Sequence, residues 1–200
     1  LIIIAVNVLV YLWLAYLSGN FLEISDIYIY KFGLSKESFL AGQYWQILTS
    51  MFIHFDLPHI GYNTIFLAIF GLKGEELYGK KLPMIYLASG IVAASASFLY
   101  PAGSVSGGAS GAIFGVLGAN LIAQRNLYSG GIWTSLGYGF IFFILAASKS
   151  TGFLAHLVGL VFGFIVGFWI TREQYIEEVE EEELDEEAVR ALEEEMARGL

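Results

Sequence analysis

The chain has 200 residues, 56% of them hydrophobic and only 14% charged. With its strongly positive mean hydropathy, that composition excludes an ordinary soluble domain, and the absence of cysteine excludes a disulfide framework and thiol chemistry. The net charge of −9 is not spread along the chain: thirteen of the nineteen acidic residues lie between Glu173 and Glu195, and the remainder is near neutral.

Six apolar runs approach the ~20 residues needed to span a bilayer: roughly 1–18, 56–79, 83–102, 110–124, 131–148 and 152–171. The expected fold is all-α, a polytopic membrane protein with six transmembrane helices. Residues 1–172 form one membrane domain and 173–200 an acidic tail. The first run has neither a basic start nor a small-residue cleavage site, so it is not a cleaved signal. The chain begins directly in apolar sequence, and residues preceding Leu1 are expected. The tail reads as a solvated, solubilising extension, with a partner-binding role as the alternative.

The connection over 19–54 is too long for a simple turn. Tyr28, Tyr30, Phe32, Phe39, Tyr44 and Trp45 are mixed there with polar residues. Side chains that are part apolar and part polar favour the headgroup level, so short amphipathic helices are expected at the outer interface. Lys80 and Lys81, Arg125 and Arg172 follow the second, fourth and sixth runs. By the positive-inside rule these ends are cytoplasmic, and so are both ends of the chain. In a prokaryote the membrane would be the plasma membrane.

At the start of the second run, "HFDLPHIGYN" places His59 and Asn63 on the run and His54 just before it. His59 and Asn63 stand four apart and share one helix face. Both can donate hydrogen bonds, either to an oxyanion in a cavity or to a neighbouring helix. His54 is expected to brace the loop. Glu75, in "GLKGEELYG", is a lone carboxylate near the inner end. It is expected to bond a neighbouring helix or loop, with a proton relay as the alternative.

The fourth run is informative because it is short. From Ser110 to Ala123 it has about 14 residues, or roughly 20 Å at ~1.5 Å each, against a hydrocarbon core of ~30 Å. With Arg125 at the cytoplasmic face, Ser110 starts within the membrane's depth, and the loop 103–109 must descend to it. Irregular backbone is tolerated there only when buried in protein or lining a watery cavity. Gly107, Gly108 and Gly111 permit a tight turn and close approach. Ser110 is then either a helix cap or a nucleophile beside unpaired amides and the positive end of a helix dipole.

The sixth run decides between them. His156 is followed by Gly159, Gly163 and Gly167, and small residues at four-residue spacing let membrane helices pack closely. Gly111, Gly115 and Ala119 form a matching seam on the fourth run. Packing the two seams brings His156 against Ser110, and a serine within reach of a histidine is an activated nucleophile. No acid lies near His156 in sequence, so a dyad rather than a triad is expected. A zinc site is not: there is no H-E-x-x-H, no cysteine and no carboxylate beside His156.

These motifs resemble those of the rhomboid family of intramembrane serine proteases. "GASGAIFG" (108–115) is similar to the family's G-x-S-G-x-x-x-G, and "HLVGLVFG" (156–163) to its histidine span. "HFDLPHIGYN" (54–63) resembles its H-x4-H-x3-N stretch, and "GLKGEELYG" (71–79) its G-x3-E-x3-G. The resemblance implies a rhomboid-like bundle with a short central fourth span. Ser110 would be the nucleophile, and His156 the general base and then acid. His59, Asn63 and the Ser110 amide would form the oxyanion hole, with Phe114 packed on the histidine ring. Gly108, Gly111, Gly159, Gly163, His54 and Glu75 would be supporting residues. It also implies that the fifth span and the loop after it control substrate entry. The implied partners are the lipid bilayer and a transmembrane protein substrate; no nucleic acid, metal or cofactor is expected. Where family members often carry Trp-Arg in the first loop, this chain has Trp45-Gln46, which removes a cation but touches none of these residues. Family members lacking the serine or histidine are inactive; both are present here. Two other classes remain: a catalytically silent scaffold that binds membrane segments, and a small-solute transporter. The second would be expected to show paired half-repeats, which the sequence lacks.

Overall fold

A computed structural model describes residues 2–147, 152–173 and 190. It is helical throughout these residues, with no strand among them and only two isolated β-bridges. The chain divides into two units, Leu1–Gly167 and Phe168–Leu200. Most of the acidic stretch lies outside the described residues. In the second unit the Arg172 guanidinium sits 5.9 Å from the centroid of the Trp169 ring.

The first unit opens with α1 (Ile2–Ser18), followed by three short helices, α2 (Asp26–Phe32), α3 (Lys36–Leu40) and α4 (Gln46–Thr49), in the long connection. Then come α5 (Leu57–Tyr78), α6 (Leu82–Ser95), α7 (Ser110–Ala123) and α8 (Gly131–Ala147). A further helix, α9, runs Phe153–Glu173. Local chemistry explains the boundaries. Asp56 caps α5 by accepting the His59 amide at 2.7 Å, with Pro58 in the first turn. Gly79 ends that helix at a φ of +50°, a conformation that L side chains rarely adopt. Ser35 caps α3 by accepting the Ser38 amide at 3.1 Å.

Two helical stretches are long and apolar enough to cross a membrane, Leu57–Leu99 and Phe153–Glu173. The first contains α5 and α6. The apolar helices Ile2–Ser18, Ser110–Ala123 and Gly131–Leu145 are shorter. Large apolar side chains stand exposed on several helices: Leu9 and Trp13 on α1, Ile65 and Ile69 on α5, Phe140 and Leu145 on α8. Exposed apolar surface on this scale belongs against lipid rather than water.

At the centre lies α7, where every residue from Gly111 to Ile122 is buried. A helix apolar all round is a core helix, and α5, α6, α8 and α9 pack around it. Phe114, Leu117 and Leu121 of α7 join Phe143 of α8 and Leu160 of α9 in one buried cluster. A second cluster, built on Tyr11, Leu14, Ile24, Ile53 and Ile60, lies under the long connection. That connection is tied down by Gln46, which is fully buried. Its side-chain amide donates to the Tyr30 carbonyl at 3.0 Å and to Gln43 Oε1 at 3.0 Å, and its oxygen accepts the Ser35 amide at 3.4 Å. The residue that departs from the family pattern is therefore a neutral knot holding α2, α3 and α4 together.

Candidate active site

The loop between α6 and α7 is held from three sides before it reaches Ser110. Ser106 and Leu34 exchange both backbone hydrogen bonds at 2.9 Å. The Gly108 amide donates to the Ser50 carbonyl at 2.8 Å, and the Ala109 amide to His54 Nε2 at 3.4 Å. Gly108 has a φ of +118°, and a Cβ there would lie 2.7 Å from His59 Nε2, so only glycine suits the position.

Ser110 is not the cap of α7. Ala109 occupies that position with helical backbone angles (φ −73°, ψ −11°) and offers no side-chain bond. The first helical hydrogen bond is from the Ile113 amide to the Ala109 carbonyl. Helix geometry thus leaves the amides of Ser110, Gly111 and Ala112 without an acceptor one turn earlier. The Ser110 hydroxyl lies instead 2.7 Å from His156 Nε2.

The seams read from the sequence account for this approach. A Cβ added at Gly159 would collide with the Gly111 carbonyl, one at Gly163 with the Gly115 carbonyl, and one at Gly167 with the backbone of Ala119. The backbones of α7 and α9 are therefore in direct contact over this stretch, with His156 one turn above Gly159. The Phe114 ring stacks on the imidazole, with centroids 4.7 Å apart and planes inclined by 19°. His156 is buried, and among the described residues its Nδ1 has no hydrogen-bond partner. Among the described residues no carboxylate is bonded to that nitrogen. Nε2 can accept the serine proton only in the tautomer that carries hydrogen on Nδ1.

His59 faces the same loop. Its Nδ1 accepts the Phe55 amide at 3.4 Å, so the ring hydrogen sits on Nε2, the nitrogen set against Gly108. The His54 and His59 rings meet edge to face with centroids 4.9 Å apart. His54 supports the loop through the Ala109 amide and is held well below the ordinary histidine value, at about 3, by burial and secondarily by His59. It stays neutral at physiological pH and so remains an acceptor.

Two residues sit differently from their neighbours in the motifs. Asn63 is buried, but its amide donates back to the His59 carbonyl of its own helix at 2.8 Å. Glu75 is exposed, beside a crevice lined by Ile3, Ile4, Gly71 and Leu72. It stands twelve residues beyond Asn63 on α5, or roughly 18 Å along the helix, and does not join the serine and histidine. One neighbour of the site was not singled out from sequence: Tyr100 Oη accepts the Ala155 amide at 3.3 Å, a contact that no motif spacing signals.

A helical membrane protein with a serine hydroxyl on a histidine nitrogen is the class these features define. Residues 41–173 match the Rhomboid domain model, and the chain belongs to the rhomboid family, whose members are integral membrane proteins. It is 36% identical over 149 residues to Rhomboid protease GluP of Bacillus subtilis (strain 168), covering 66% of this chain and 27% of that protein. It is 32% identical over 143 residues to RHOMBOID-like protein 6, mitochondrial, of Arabidopsis thaliana, covering 66% and 46%. RHOMBOID-like protein 1 of the same plant is 29% identical over 164 residues, covering 76% and 41%. The chain spans less than half the length of each of these relatives.

Proposed function

We propose that this chain is an intramembrane serine protease that cleaves a peptide bond in or near a transmembrane segment of its substrate. The observation that carries the reading is the 2.7 Å approach of Ser110 Oγ to His156 Nε2 in a chain that belongs to a family with protease-named relatives. In this reading the helices α1, α5, α6, α7, α8 and α9 each cross the bilayer. The basic ends and the acidic stretch lie on the cytoplasmic side, and Ser110 opens to the outer side.

The reaction is acyl transfer. Ser110 Oγ attacks the scissile carbonyl carbon while Nε2 of His156 takes the hydroxyl proton. The carbonyl oxygen becomes an oxyanion. The Ser110 amide and His59 Nε2–H are the donors for it, with the Asn63 amide, which carries two hydrogens, as a third. The imidazolium protonates the leaving amine as the C–N bond breaks. Water then attacks the acyl-enzyme, giving its proton to His156, which returns it to Ser110 Oγ as the ester C–O bond breaks. Phe114, stacked on the ring, holds the imidazole plane through both proton transfers.

The test is fluorophosphonate labelling of the purified protein in detergent, with the modified residue mapped by mass spectrometry. Labelling at Ser110 that disappears in His156→Ala is the expected result. A folded protein that stays unlabelled overturns the reading and favours a silent scaffold. Asn63→Ala is expected to slow cleavage by about 10²-fold, the usual cost of one oxyanion donor. An unchanged rate constant for cleavage removes Asn63 from the site.

A further inference from the structure

The first turn of α9 leaves the amides of Phe153, Leu154 and Ala155 without a helical acceptor, because the first helical bond runs from the His156 amide to the Gly152 carbonyl at 3.0 Å. The last of these orphan donors, Ala155, immediately precedes His156. It finds its acceptor 55 positions away, in the phenol oxygen of Tyr100 at 3.3 Å.

Tyr100 makes this contact from a fixed platform. It ends the 3-10 turn Ala96–Leu99 with extended backbone (φ −78°, ψ 160°), and its amide donates to the Ser97 carbonyl at 3.2 Å. Pro101 follows and restricts the residue before it to extended backbone. The ring therefore rises from the start of the same loop that delivers Ser110. Ala155 is met on a second side by α7: a Cβ at Gly111 would lie 3.6 Å from the Ala155 carbonyl oxygen. Its amide is thus bonded by the loop before Ser110, and its carbonyl passes close to the residue after Ser110.

We infer that Tyr100 is a positioning residue: its phenol oxygen hooks the first turn of α9 to the loop before Ser110 and so fixes His156 at hydrogen-bonding distance from the serine. The glycine seam sets the spacing of α7 and α9 below the site, and the phenol sets it at the site's own level. A phenol suits the task because it reaches far with only two side-chain torsions to order. The inference rests on the protease reading, since it gives His156 the role of base.

The test uses Tyr100→Phe, which keeps the ring and removes only the acceptor. Saturation kinetics of fluorophosphonate labelling at Ser110 separate the limiting rate from the inhibitor's binding constant. The limiting rate is expected to fall roughly tenfold, as loosened alignment of reacting groups does, with the binding constant and melting temperature unchanged. Hydrogen exchange of the peptide spanning residues 152–158 is expected to accelerate in the same variant. A variant that labels at the wild-type limiting rate, or changes only in binding, overturns the role of Tyr100 while the protease reading stands. A wild-type protein that does not label at all overturns both.

Discussion

Ser110→Ala will reduce turnover of a transmembrane substrate in proteoliposomes by at least about 10⁴-fold, on the scale of removing the nucleophile from a serine hydrolase. The fold will survive. The hydroxyl's bond to His156 is worth about 1 kcal/mol net, and it does not cap α7, because Ala109 holds that position. Alanine is also the best helix former, so the first turn loses nothing. Thermal unfolding measured beside turnover separates the two effects. Residual cleavage near the wild-type rate would remove Ser110 from the chemistry, and a collapsed melting transition would contradict the structural account.

The second large effect concerns packing. Gly163→Val would drive a side chain into the Gly115 carbonyl, where backbone meets backbone and no rotamer offers escape. Overpacking of a well-fitted core typically costs 1–3 kcal/mol, and two helices in direct contact place this one at about 3 kcal/mol or more. Because His156 lies on the same helix, parting α7 from α9 also draws the imidazole away from Ser110, and labelling should vanish along with stability. Gly137→Ala is the control. Nothing lies within 4 Å of a Cβ at Gly137 in α8, so that substitution is expected to leave both unchanged. Equal damage from the two would show that the loss is not specific to the seam.

The seam was legible because membrane helices without a hydrophobic drive between them rely on close backbone approach. Glycines at four-residue spacing therefore carry both contact and register. Once the register Gly111–Gly159 and Gly115–Gly163 is chosen, the meeting of Ser110 with His156 follows from helix geometry alone. The short length of α7 was legible for a similar reason, from counting apolar residues before Gln124. The partners of Gln46 and Tyr100 were not. Each is a side chain reaching backbone groups that become neighbours only after the chain has folded, and neither periodicity nor spacing records such a reach. Sequence marked Gln46 only as a missing cation, whereas the structure makes it a buried knot of neutral hydrogen bonds. Asn63 illustrates the reverse: its spacing from His59 fixes a shared face, but not whether its amide serves a neighbour or the carbonyl one turn earlier.

The enclosure of α7 bears on how the molecule is made. A helix of 14 residues with no lipid-facing side is only ~21 Å long at 1.5 Å per residue, and it gains little by entering a bilayer alone. Its seam partners in α9 are each translated 48 residues later. Until Gly159 and Gly163 have left the ribosome, Gly111 and Gly115 can close only against Ala93 and Ser89 of α6. Assembly of the centre thus waits for α9, and the serine meets its histidine only after that helix has been made.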